Sequence, residues 1–94
     1  MSIVEVEVEG RKYKVKIREI KYGEWQEILK RATRVVGATV TIDQVALEDG
    51  LLEKAVESIE PAVKDKIKWI KELPVSVASK IVSEIYKINP LGRA

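Results

Sequence analysis

Apolar and charged residues alternate strictly from Val4 to Val8 and again from Lys12 to Arg18. Val4-Glu5-Val6-Glu7-Val8 is followed, after Glu9-Gly10, by Lys12-Tyr13-Lys14-Val15-Lys16-Ile17-Arg18. Period-two alternation on both sides of a glycine-containing turn is the pattern of a β-hairpin. With a two-residue turn at Glu9-Gly10, the opposed pairs are Glu7 with Lys12, Val6 with Tyr13, Glu5 with Lys14 and Val4 with Val15. One face then carries opposite-charge pairs and the other carries apolar pairs. Each such pair adds about 0.2–1 kcal/mol over an alanine pair, and a slip of one residue would turn the apolar side chains onto the charged face. The register is therefore set locally.

Beyond a short link at Glu19-Ile20-Lys21-Tyr22 the period becomes helical. Trp25, Ile28, Leu29, Ala32, Val35 and Val36 form one apolar stripe, Glu24, Glu27, Lys30, Arg31 and Arg34 fill the remaining positions, and Gly37 is a natural C-terminal stop. A lone hairpin is not stable in water, so this helix is expected to cover the Val4, Val6, Tyr13, Val15 and Ile17 face. Residues Ala38 to Ile42 are rich in β-branched side chains and read as a third strand or an extended link, of which the link is the expectation. Asp43 caps a turn reaching Glu48, Asp49-Gly50 interrupts the pattern, and Leu51 to Ile59 is expected as the main second helix. Its apolar face is Leu51, Leu52, Ala55, Val56 and Ile59. Pro61 suits the first turn of a third helix, where Val63, Ile67 and Ile70 align with Lys64, Lys68 and Lys71 beside them. Leu73-Pro74 makes another break, and the last helix runs from about Pro74 to Ile88 with Ala78, Ile81, Val82, Ile85 and Ile88 inward. The expected fold class is α+β, an N-terminal β-hairpin packed on a small cluster of about four short helices, forming a single domain over residues 1–94.

Composition narrows the chemistry. Neither histidine nor cysteine occurs, which removes imidazole and thiolate metal sites, cysteine nucleophiles, histidine general bases and disulfides together. Glu48 with Asp49, and Glu53 with Glu57, are the carboxylate pairs, the second four residues apart on an outer helix face where carboxylates are normally solvated. Ser58, Ser76, Ser79 and Ser83 lack a histidine partner and a Gly-x-Ser-x-Gly elbow, and the five glycines form no phosphate-cradling loop. The chain is thus expected to be no enzyme and to carry no cofactor or metal. Abundant Glu, Lys, Ile and Val with few Gln and Asn lean toward a thermophile. The N-terminus lacks a signal-peptide pattern and no apolar run is long enough to span a bilayer, so the expected location is the cytoplasm, away from membrane.

The net charge is only +2, but it is arranged in blocks: +3 over residues 1–42, −5 over residues 43–63 and +4 over residues 64–94. Lys12, Lys14, Lys16 and Arg18 on one strand, or Lys64, Lys68 and Lys71 on one helix face, are the candidates for binding phosphates. Glu5 and Glu7 oppose the strand, and no exposed aromatic interleaves the lysines, so a solvated face is the plainer reading and a nucleic-acid partner is not expected. A small nucleic-acid-binding regulator is the alternative function. Docking of acidic belt on basic end is an equally physical use of the same charges. Trp25 sits in the inward stripe, whereas Trp69 and Tyr86 lie at the edges of theirs. With Ile70, Leu73 and Leu91 they are read as an apolar, partner-binding patch around the Leu73-Pro74 corner and the C-terminal tail. The partners it implies are a second copy of the chain and a hydrophobic or coiled-coil protein.

The order of parts carries a resemblance. Val-x-Val-x-Gly-x-x-Tyr from Val6 to Tyr13, a Tyr-Gly-Glu-x-x-Glu helix start from Tyr22 to Glu27, Leu51-Leu52-Glu53, and Leu73-Pro74 ahead of Ala78-x-x-Ile81-Val82-x-x-Ile85 ending at Asn89 resemble the tail assembly chaperones of long-tailed phages and related proviruses. The resemblance implies a cytoplasmic, non-catalytic protein that multimerises and coats a hydrophobic tape-measure protein until tail-tube subunits polymerise around it. A small structural subunit of a tail or virion is a third class that the sequence does not separate from this one.

Overall fold

Residues 2–90 are described by the computed structural model, which is α+β with an N-terminal antiparallel hairpin and four helices. The hairpin joins β1 (Ser2–Val8) to β2 (Arg11–Ile17), and its register pairs Glu7 with Lys12, Val6 with Tyr13, Glu5 with Lys14 and Val4 with Val15, as the alternation requires. Both turn residues have positive φ, 51° at Glu9 and 78° at Gly10, the backbone demanded by a two-residue turn whose twist matches its strands.

Helix α1 (Tyr22–Ala32) stops four residues before the apolar stripe does. Thr33–Val36 is instead strand β3, paired antiparallel with β4 (Thr39–Ile42), and Gly37, at φ 62°, makes the turn between them rather than capping a helix. The β-branched run Thr33, Val35, Val36 is stiff at χ1 and crowds a helix, whereas a pleated strand accepts it. Residues 38–42, expected as an extended link, therefore supply a strand of a second, two-stranded sheet.

Helix α2 is continuous from Gln44 to Ala55, with the Asp43 carboxylate accepting from the Ala46 N–H. Asp49-Gly50 does not interrupt it. Gly50 is where α2 meets α1, and a Cβ there would lie 2.9 Å from Cγ2 of the buried Ile28. The helix also ends earlier than expected, because Val56–Glu60 is strand β5, added antiparallel to the free edge of β2 in the order β1-β2-β5. Val56 and Ile59 are three apart, a helical spacing, yet both are buried from a strand. A bulge reconciles these facts: the partners step from Lys16 with Ser58 to Ile17 with Val56, leaving Glu57 as the extra residue.

A loop over residues 61–65 follows the cis Glu60-Pro61 peptide, so α3 (Lys66–Lys71) begins later than the proline signal suggests, with the Asp65 carboxylate accepting from the Lys68 N–H. Pro74 precedes α4 (Val75–Ile88), as expected. It is α4, rather than α1, that lies across β1 and β2, and the Ser2 hydroxyl donates to Glu84 across that contact. Helix α1 packs mainly on α2. Val15, Ile17, Ile28, Leu51, Ile81 and Ile85 are the fully enclosed centre of the core. Among the described residues one polar side chain, that of Asn89, is buried with them. Oδ1 of Asn89 accepts from the Ile20 N–H at 2.9 Å, while Nδ2 donates to the Arg18 carbonyl at 3.2 Å and the Ile85 carbonyl at 3.1 Å. The end of α4 is thereby tied to the link after β2, and every bond the amide makes is to backbone.

Packing at Gly50 yields the first test. Ile28→Ala should cost about 2–5 kcal/mol through the cavity it leaves. Gly50→Ala should cost about 1–3 kcal/mol, because the clash with an immobile, β-branched side chain exceeds the gain of about 1 kcal/mol in helix propensity. Made together, the two changes should cost less than their sum, since the new methyl enters the space vacated by Ile28; urea denaturation of the three variants measures that coupling.

Candidate interaction surfaces

The basic candidates divide by their neighbours. Lys12, Lys14 and Lys16 share the outer face of β2, where Lys12 sits opposite Glu7, Lys14 lies between Glu5 and Glu60, and Nζ of Lys16 is 3.3 Å from the Glu57 carboxylate. The central strand is thus a row of cations flanked by carboxylates on both sides. Arg18 grips Glu24 through two guanidinium nitrogens at 3.2 and 2.8 Å. Glu24 also accepts from the Lys21 N–H at 2.8 Å, closing the first turn of α1. The Arg18 hydrogen bonds, then that backbone bond, hold the Glu24 carboxyl down at about 2. Lys71 pairs with Asp49 at 3.1 Å. Lys68 is exposed on α3, and Lys64 lies in the loop before it, so the three lysines expected on one helix face do not share one. The short α3 is the reason.

The apolar candidates are also dispersed. Ile70 is 2% exposed and belongs to the core. Trp69 is half-buried, its ring 4.8 Å from that of Tyr13 and tilted by 53°, so it closes one end of the sheet face. Tyr86 is half-buried beside α2, and burial followed by the nearby Glu48 charge raises its hydroxyl pKa. Leu73 is half-buried and lines a groove with Ile70. Leu91 falls outside the described residues. The core thus takes in Ile70 and half-buries Trp69, Leu73 and Tyr86.

Two uncovered apolar surfaces lie elsewhere. The first is an open groove of about 410 Å³ between α2 and α4, lined by Val45, Leu52, Leu73, Val75 and Val82, with Val45 69% and Val75 82% exposed at its rims. Glu48 is on its wall and makes no ion pair among the described residues. The second is the β3–β4 ribbon, in which every residue from Arg34 to Ile42 is exposed. Its register sets Val35 opposite Val40 and Thr33 opposite Ile42, so Val35, Val40 and Ile42 share one face while Arg34, Val36, Thr39 and Thr41 share the other. The ribbon's sequence signal was present in the β-branched run on both sides of Gly37. The groove has no local signal, because it depends on how α2 and α4 sit relative to each other.

Among the described residues no cluster of three metal-ligating side chains occurs, and no helix is long and apolar enough to cross a membrane. Comparison with family models, with curated proteins and with solved structures found no significant match to this chain.

The Arg18–Glu24 pair gives a pH-dependent prediction with a definite sign. A carboxyl held at about 2 in the folded chain against an ordinary value near 4.5 contributes stability that is complete above about pH 4.5 and lost as pH falls through about 2. The difference in urea midpoint between wild type and Glu24→Gln should therefore favour wild type at pH 7 and shrink steadily between pH 4.5 and pH 2. A constant difference across that range would show that the pair contributes nothing through ionisation.

Proposed function

We propose that the chain is a non-catalytic assembly or adaptor protein that binds the apolar face of a helical or coiled-coil partner, in the manner of the phage and provirus tail assembly chaperones it resembles. The observation that carries this reading is the open groove between α2 and α4. Two neighbouring helices with an uncovered apolar seam form a docking site for a third, the usual helix-in-groove arrangement. Val45, Val75 and Val82 offer the apolar seam over the buried Leu52, and Glu48, which makes no ion pair among the described residues, favours a partner helix with Lys or Arg beside its apolar stripe. The absence of histidine and cysteine leaves the serines without an imidazole base, and Glu48, Glu53 and Glu57 are exposed, which supports action by binding. The nucleic-acid alternative has less support, because Lys14, Lys16, Arg18 and Lys71 stand beside carboxylates that offset their charge toward phosphate.

A synthetic coiled-coil segment of tape-measure type, with basic residues flanking its apolar seam, is the appropriate probe. Fluorescence anisotropy should report saturable binding, weakened tenfold or more by Val45→Asp combined with Val75→Asp, while duplex DNA should bind weakly and be released by moderate salt. Failure of the coiled coil to bind, together with a DNA complex that survives physiological salt, would overturn the reading in favour of the alternative.

A further inference from the structure

The larger sheet has two outer edges, β1 and β5, and they are finished differently. At β5 the Lys66 ammonium donates to the Val56 carbonyl at 3.2 Å and to the Glu57 carbonyl at 3.1 Å, which closes that edge. The backbone of β1 has no such cover among the described residues. Which of its groups are left over follows from the turn. In a two-residue hairpin turn with positive φ at both positions, the flanking residues, here Val8 and Arg11, exchange backbone hydrogen bonds, and bonded pairs then alternate with non-bonded ones along the ladder. Val4 and Val6 therefore bond to β2, whereas Ile3, Glu5 and Glu7 turn both N–H and C=O to the open edge. The side chains of these same residues stand on the outer face of the sheet, and all are exposed.

We propose that β1 accepts an extended segment of another protein as a fourth strand, with Lys or Arg at alternate positions opposite Glu5 and Glu7 and apolar residues between them. Main-chain bonds to Ile3, Glu5 and Glu7 supply the attachment, and alternate side chains supply the selection. The chain already displays the chemistry that fits β1, because on its inner edge Lys12 and Lys14 stand opposite Glu7 and Glu5 while Tyr13 and Val15 stand opposite Val6 and Val4. A strand of the same pattern on the outer edge again sets opposite charges side by side, and its apolar residues extend the inner face beside Val4 and Val8, which are only half-buried. A second copy of this chain does not supply such a strand. The strand with lysines at alternate positions, β2, is internal, and the two outer edges carry Glu5 with Glu7 and Glu57 with Glu60, so edge-to-edge approach opposes carboxylates. Charge here rejects acidic edges and admits a basic one. The groove between α2 and α4 takes no part in it.

The sequence of β2 supplies the probe, a synthetic peptide Arg-Lys-Tyr-Lys-Val-Lys-Ile with both termini capped, titrated into the full chain. Fluorescence anisotropy should show saturable binding, and amide exchange followed by NMR should slow at Ile3, Glu5 and Glu7 while Val4, Val6, β5 and the groove residues Val45 and Val75 stay as they were. The same peptide with every lysine replaced by glutamate should not bind. Methylating the peptide's backbone nitrogens at the lysines removes the donors that face β1 and should abolish binding, whereas methylation at the tyrosine and valine, whose N–H groups face away, should be tolerated; adsorption by charge alone would treat the two alike. Glu5→Gln combined with Glu7→Gln should bind the peptide several-fold more weakly and melt close to wild type, since exposed pairs add little to stability. No binding of the lysine peptide, equal binding of the two methylated forms, or unchanged exchange at Ile3, Glu5 and Glu7 would overturn the proposal.

Discussion

The arrangement of this fold depends on β2 having charge-matched partners on both edges. Its outward residues are Lys12, Lys14 and Lys16, and the strands beside it present Glu5 and Glu7 on one side and Glu57 and Glu60 on the other. A basic strand alone would repel a copy of itself, and two acidic strands would repel each other; the order acidic, basic, acidic is the one in which every neighbour attracts. The charges select the arrangement more than they stabilise it, since exposed pairs are worth little each. What they select is an inner face on which Val6, Val15, Ile17, Val56 and Ile59 coincide and can be buried, under α4 at β1 and β2 and under α2 and α3 at β5. That burial supplies most of the stability.

From this placement the remaining elements follow. Bringing β5 back to β2 obliges α1 and α2 to run as a pair from the end of β2 to the start of β5, and their close approach at Gly50 sets the distance between them. The β3–β4 ribbon is the connection between those two helices, and its position outside the pair leaves it without a cover. The groove at α2 and α4 arises similarly, because α4 is committed to the sheet and meets α2 along only part of its length.

How far the sequence revealed this depends on whether the signal was local. The first hairpin was legible down to individual pairs, because alternation, charge and turn residues agreed within twenty positions. The α+β class and the Leu73-Pro74 corner were legible on the same grounds. Where two periods competed, the reading failed: Thr33, Val35 and Val36 continued a helical stripe but were β-branched, and Val56 and Ile59 kept a helical spacing that a bulge makes possible in a strand. Asp49-Gly50 looked like a break because the reason for a glycine there, Ile28 pressing against it, is twenty-two residues away. The interaction surfaces were least legible. Trp69 and Ile70 are large and apolar, which marks a partner contact as readily as a core, and it takes the structure, through the enclosure of Ile70 and the contact of Trp69 with Tyr13, to separate the two.

Asn89 and α4 also impose an order in time. On the ribosome β1, β2 and α1 emerge first, but the face of the hairpin stays open until α4 has been made, and the link at Arg18–Ile20 lacks its amide partner until Asn89 follows. About 70 residues separate the two, which at 5–20 residues per second leaves Val6, Val15 and Ile17 facing solvent for roughly 4–14 s in each synthesis.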